Sequence, residues 1–297
     1  MPVSPRRPAQ LRGRIFRGSE MVARGLLTRT ELRSKAWRQL FRDVYADSHL
    51  TVSHRTRCQA AARLLLPTGA AVAGRSAAAL FGVRGVAADE PIDVLVPTGR
   101  RFGPVSGLVV HTAELGSDEI ILRDDVPVTS PERTCWDLAQ WCPVEEAVAT
   151  VDQLAARGTV RLDQVAAYAR CRIGLRGWRR LLRVVELADA GAESIPESRL
   201  RVRIVLAGLP RPVTQFVVTR GGRFIARVDL AWPQLRVAVE YDGLWHDDPE
   251  QFHRDRRRLN RILGEDWIVL HVTAKRMRED FDGFLTELRQ TLTRRSG

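Results

Sequence analysis

Apolar and polar positions change period several times along this chain, and each change marks an element. Met21, Val22 and Leu26 recur at helical spacing behind a candidate cap at Ser19. A second short helix is predicted after Thr28, anchored by Leu32, and "LFRDVYAD" alternates as a strand does. Between Ser53 and Glu186 the stretches "RTRCQAAARLLL" and "GRSAAALFG" read as helices, and "PIDVLVP" and "GLVVHTA" as strands. "SPERTCWDLAQWCPVEEAVATVDQLAARG" reads as one or two further helices. Ser194-Ile-Pro-Glu197 has capping-box spacing and opens a helix that Gly208 and Pro210 stop. The strands "TQFVVTR" and "RFIARVDLA" then flank Gly221-Gly222, a two-residue hairpin signal. Trp232-Pro233-Gln234 turns the chain into a third strand, "LRVAVEYD". A helix from about Pro249 to Leu263 and a fourth strand, "WIVLHV", complete the series.

The class is α/β (α+β), in three expected domains. Residues 1–52 form a winged-helix-like module, because helix, turn, helix and strand follow in that order. The helix that would enter a DNA groove is scarcely long enough, so a module that docks on the next domain is the alternative. Residues 53–186 form an α/β middle domain. Alanine, glycine and aspartate in "ELADAGAESIPES" break the helical pattern and set the next boundary. Residues 190–297, in the order αβββαβ, make one mixed sheet flanked by helices.

Composition narrows the partner class. The 297 residues are 44% hydrophobic and 28% charged, enough for real cores. Lys+Arg number 47 against 35 Asp+Glu, a net charge of +12, and Lys35 and Lys275 are the only lysines. A cation of this size is drawn to polyanions, nucleic acid first among them. The four cysteines, Cys58, Cys135, Cys142 and Cys171, have no zinc-type spacing and read as small buried hydrophobes in a reducing, cytoplasmic setting. The basic start lacks the apolar core of a signal peptide, and no stretch reaches the roughly 18 apolar residues of a membrane span. Oligomeric state is not legible. His54, His111 and Asp137 stand as isolated polar residues, structural or exposed rather than catalytic.

The informative anomaly is a set of acids inside strands. Strand alternation places Arg227 and Asp229 on one face, with Val228 and Leu230 on the other. Glu240 and Asp242 share a face, opposite Val237, Val239 and Tyr241. Glu197 falls on the apolar side of its helix, with Leu200 and Ile204, and Asp255 and Arg256 fall within the stripe of Phe252, Leu259, Ile262 and Leu263. Acids aimed inward repel one another and lose hydration, and a divalent cation with oxygen ligands relieves both. Bland explanations exist: Glu197 as a capping carboxylate, Asp229 as a strand end, Asp242-Gly243 as a turn. Glu240, between Val239 and Tyr241, has none of these. Magnesium between carboxylates in a basic domain points to phosphodiester hydrolysis. Arg254, Arg257, Arg258 and Arg261 would then bind backbone phosphates.

Two resemblances sharpen this. "GLLTRTELRS", "GRSAAALFG" and "VPVTSPERTCWDLA" look like the AbiEi-type antitoxins, which implies a DNA- or protein-partner role for the N-terminal half. "ESRLRVRIVLAGLP", "ARVDLAWPQLRVAVEYDGLWH" and "HRDRRRLNRILGEDWIVLHVT" resemble the PD-(D/E)XK nucleases, above all the very-short-patch repair endonucleases. That likeness implies a restriction-endonuclease-like fold and a Mg²⁺-dependent (or Mn²⁺-dependent) DNA endonuclease. Asp229 and Glu240 would be the metal acids, the Tyr241 carbonyl a further ligand, Glu197 the helix acid and His246 a catalytic histidine. Asp242 stands where the family has a lysine, so the cation is sought among Arg256, Arg227, His246 and Lys275, while His253 reads as a helix-surface residue. A non-catalytic, antitoxin-like DNA-binding regulator is the alternative function.

Overall fold

In the computed structural model, which describes residues 6–242 and 266–297, these periodicities resolve into two units, Met1–Trp141 and Cys142–Gly297. The first begins with β1 (Ile15–Arg17), α1 (Gly18–Ala23), β2 (Trp37–Phe41) and β3 (Val44–Asp47), the strands ordered β1-β3-β2. Leu11, Phe16, Met21, Leu27, Leu32 and Trp37 form its core. The second expected helix is a single 3-10 turn, Glu31–Arg33. Its cap closes on itself: the Thr28 N–H donates to Glu31 Oε2 at 2.7 Å, and the Glu31 N–H donates to Thr28 Oγ1 at 3.1 Å.

The rest of this unit comprises α2 (His54–Leu64), β4 (Ala71–Val72), α3 (Gly74–Leu80), β5 (Ile92–Pro97), β6 (Leu108–Ala113), β7 (Ile120–Arg123), β8 (Val126–Thr129) and α4 (Pro131–Trp141). The mixed sheet runs β6-β5-β4-β8-β7. Gly74 has φ +51°, and a Cβ there would meet the Trp141 ring at 2.9 Å, so only glycine lets α3 start against that ring.

The second unit starts with α5 (Val144–Ala156), α6 (Leu162–Arg170), α7 (Trp178–Leu187) and α8 (Ile195–Leu206). Residues 142–187 therefore lie with the last sheet, and the alanine-rich stretch before α8 is fastened rather than loose. The Asp189 N–H donates to Asp152 Oδ1 at 2.7 Å, and Arg201 Nη2 reaches Asp152 Oδ2 at 2.7 Å with both side chains fully buried. Arg201 also donates to the Leu187 carbonyl, and Arg211 to those of Glu186 and Ala188. A buried pair of this kind costs about 3–5 kcal/mol when one partner is removed.

β9 (Val213–Arg220) and β10 (Arg223–Trp232) form the expected hairpin, with Gly221 and Gly222 at φ +53° and +78°. Two positive φ values are what a type I′ turn demands. β11 (Val237–Asp242) runs antiparallel to β10, and β12 (Ile268–Thr273) parallel to β11, in the order β12-β11-β10-β9. Leu200 and Ile204 of α8 pack on Leu230, Val237, Val239 and Val272, together with Phe284 and Leu288 of the C-terminal helix Phe281–Ser296. Val218, Ala226, Ala238 and Trp267 cover the other face. The helix expected from Pro249 to Leu263 lies outside the described residues. Cys58 and Cys135 are buried as expected, but Cys142 is half-buried and Cys171 exposed, because Cys171 sits just past the end of α6.

Candidate functional site

Three elements of the second unit bring acids together. Ser194 caps α8 by accepting the Glu197 N–H at 3.3 Å, which fixes Glu197 in the first turn. Its carboxylate is turned toward the sheet, where Gln215 Nε2 donates to Oε2 at 2.8 Å. The same amide nitrogen lies 3.4 Å from Asp229 Oδ1, so one glutamine of β9 spans two carboxylates. Burial raises the Glu197 carboxyl above the usual carboxylate range, Asp229 pushes it further, and the Ser194 and Gln215 bonds oppose both.

Asp229 sits where the sheet changes. The β10–β11 register runs from Trp232↔Val237 to Leu230↔Val239 and ends there, just before Asp229 and Glu240. There the Tyr241 N–H donates to Asp229 Oδ2 at 2.8 Å, a side chain taking a place in the ladder. On the other side, Gln215 faces Asp229 between the pairs Val228↔Phe216 and Leu230↔Thr214, with φ +50°. A left-handed glutamine inside a strand is unusual and twists the pairing locally. Strict alternation therefore fails here: Val228 joins the cluster of Ala231 and Ala238, whereas Leu230 joins that of Val237 and Val239.

β11 keeps its alternation. Val237 and Val239 are buried, with Tyr241 beside them on the α8 face, and Glu240 shares the opposite face with Ala238. The parallel register sets Glu240 beside His271 and Asp242 beside Thr273. His271 Nδ1 lies 3.1 Å from Asp242 Oδ2, so Asp242 has an imidazole partner. Two of the expected cations have partners on the surface: Arg227 pairs with Glu193 at 2.8 Å, and Lys275 with Glu279 at 3.8 Å. His246, His253, Arg254, Arg256, Arg257, Arg258 and Arg261 lie outside the described residues.

Among the described residues no group of three or more His, Cys, Asp or Glu side chains is arranged to hold a metal ion. No described helix is long and apolar enough to cross a membrane.

No family model matches the sequence. Two curated proteins do, the uncharacterized protein Rv2248 of Mycobacterium tuberculosis strain H37Rv and the uncharacterized protein MT2308 of strain CDC 1551. Each is 31% identical over 211 residues, spanning 69% of this chain and 74% of the relative. The chain belongs to their family. The crystal structure of the RV2827C protein from Mycobacterium tuberculosis aligns over 67% of this chain and 78% of its own, with 16% identity and a TM-score of 0.41, too loose a likeness to assign a fold.

In this family member Gln215 and His271 are the site residues that sequence reasoning passed over. Gln215 reads as an ordinary polar strand residue, and His271 as a lone histidine in an apolar run. The polar residues of the first unit are not isolated as expected. His54 Nε2 meets Ser76 Oγ at 2.9 Å, and burial, helped by Arg57, lowers its pKa. His111 stacks on Trp141 with centroids 3.4 Å apart and lies 3.3 Å from Asp93 Oδ1. Asp137 is buried against Arg133, which also binds Glu119 at 2.8 Å. All three have local packing partners.

Proposed function

We propose that the protein is a divalent-metal-dependent DNA endonuclease whose site is built on Asp229 and Glu240, with the second unit a restriction-endonuclease-like domain of the PD-(D/E)XK type. The observation that carries this reading is the meeting of Asp229 with Glu197 through Gln215, while the Tyr241 N–H on Asp229 Oδ2 sets that carboxylate beside the strand that carries Glu240. An acid whose charge raises a neighbouring carboxyl's pKa, as Asp229 does for Glu197, favours a cation close by. The donor set fits a hard ion such as Mg²⁺. It offers only oxygens, and an ionised carboxylate keeps acceptor capacity beyond the bonds from Gln215 and Tyr241. Asp229, Glu240 and the Tyr241 carbonyl would hold it.

Bound there, such an ion would polarise a phosphoryl oxygen of the scissile diester and offset charge in the transition state. This chain's residues do the rest. Asp229 and Glu240 orient the site, and Glu197, whose carboxyl burial and Asp229 hold above its ordinary value, is the acid placed to exchange a proton there. The Asp242–His271 pair fixes an imidazole on β12 beside Glu240. The first unit is a targeting or partner-binding module, and the basic chain holds the DNA backbone.

One observation favours a second reading. Asp229 also serves the sheet by accepting the Tyr241 N–H, so a non-catalytic, antitoxin-like DNA-binding regulator has its own reason to keep it. Plasmid DNA incubated with the protein and Mg²⁺ or Mn²⁺ separates the two. Nicking or cleavage that Asp229→Asn and Glu240→Gln each abolish supports the nuclease. DNA binding without cleavage of duplex, mismatched or single-stranded substrates supports the regulator.

A further inference from the structure

We propose that the corner between α6 and α7 is a sequence-independent contact for the sugar–phosphate backbone of duplex DNA. The inference rests on the DNA reading above but not on catalysis. From Gln164 to Val185 the chain holds no acidic residue and six arginines: Arg170, Arg172, Arg176, Arg179, Arg180 and Arg183. The connection between the helices is made by Gly174 and Gly177, at φ +97° and +106°. That left-handed pair lets the chain reverse tightly and projects its tip outward. At the tip Ile173 is 66% exposed and Leu175 57% exposed, among the most exposed large apolar side chains of the protein. Arg170, Arg176 and Arg179 flank them along the chain and are exposed as well.

A protruding apolar pair inside an arginine collar needs an anionic partner that also offers apolar surface. An anionic membrane and duplex DNA both qualify. The helix decides between them. Leu181, Val184 and Leu187 of α7 are 0–2% exposed and spent in the core, Trp178, Leu182 and Val185 are half-buried, and Ile173 and Leu175 are the large apolar side chains that stand exposed at this corner. That is too little for an anchor, but it suits the sugar edges of a groove flanked by phosphates. Geometry ties the corner to the carboxylate site. α7 is ten residues long, about 15 Å, and its far end is held by Arg201 and Arg211 beside the segment that leads into α8. A duplex lying along it would be engaged over about four to five base pairs.

The test uses the full chain and a fluorescein-labelled duplex without metal, with anisotropy followed as salt is raised. The triple variant Arg170→Gln, Arg176→Gln, Arg179→Gln should weaken binding about tenfold or more and flatten the slope of log K against log salt by about 2–3. Ile173→Ser with Leu175→Ser should weaken binding with the slope unchanged. The duplex should also slow alkylation of exposed Cys171 in the wild-type protein. A control triple, Arg278→Gln, Arg289→Gln, Arg294→Gln, removes the same charge from elsewhere on the unit. Equal losses from both triples would mean bulk charge alone and overturn the proposal. So would unchanged affinity in the corner triple, or a corner triple that loses only binding to phosphatidylglycerol vesicles. Corner-dependent binding without cleavage sinks the nuclease reading and leaves this one standing, whereas cleavage with corner-independent binding does the reverse. A wild-type chain with no affinity for DNA sinks both.

Discussion

Asp229 Oδ2 accepts the Tyr241 N–H at 2.8 Å, one step beyond the last cross-strand pair between β10 and β11. A carboxylate here has two separable uses, as an acceptor for the backbone and as a ligand for a cation. Asp229→Asn keeps an acceptor oxygen and removes the charge. Asp229→Ala removes both and leaves a half-buried N–H to water, at a cost of about 1 kcal/mol. The expected outcome is that Asp229→Asn melts close to wild type while losing divalent-ion binding, and that Asp229→Ala melts lower. Thermal melts with and without Mg²⁺ check it. An asparagine variant that Mg²⁺ still stabilises as it does the wild type would remove Asp229 from the metal site.

Gln215 couples backbone strain to the acids. At φ +50° it occupies a region that costs a residue with a Cβ about 1 kcal/mol, yet its amide joins Glu197 and Asp229. Gln215→Gly relieves the backbone and Gln215→Ala does not, so the glycine variant should be the more stable by about 1 kcal/mol. Both lose the bond that holds the Glu197 pKa down, so both should raise it further. Carboxyl NMR titration of Glu197 reads the shift. A fall would show that the amide does not act on that carboxylate.

What the sequence disclosed follows the range of the interaction. The Gly221-Gly222 hairpin, the Ser194 cap and the alternation of Val237, Val239 and Tyr241 are local, and each is found where periodicity and turn chemistry place it. Glu240 stood out because a strand interior gives an acid no local excuse. Non-local features were hidden. The Asp242–His271 pair spans 29 residues and depends on a parallel register that no turn specifies. Asp152 reads as one polar residue on a helix, yet it anchors Asp189 and Arg201 from 37 and 49 residues away. Those bonds turn an apparent linker into a fastened segment. Arg227, expected on the face of Asp229, pairs with Glu193 just before α8, a partner 34 residues away that no local pattern announces.

The first unit carries a pH dependence of its own. Asp137 is 1% exposed, and burial raises its pKa from 3.8 to about 7, against the opposing pull of Arg133. Arg133 divides its charge between Asp137 and Glu119, and the Glu119 carboxylate itself pushes the Asp137 pKa up. A folded-state pKa above the unfolded one means that the folded protein holds this proton more tightly. The contribution to stability is fully present below the unfolded value near 4 and is lost as pH rises through about 7. Melting of the Met1–Trp141 unit should therefore fall between pH 5 and pH 8, and Asp137→Asn, which cannot ionise, should remove most of that slope. Melts across the range, followed by hydrogen exchange of α4 amides, read this directly. A slope that survives in Asp137→Asn would assign the titration to a different group, and a melting temperature that rises with pH would reverse the sign argued for Asp137.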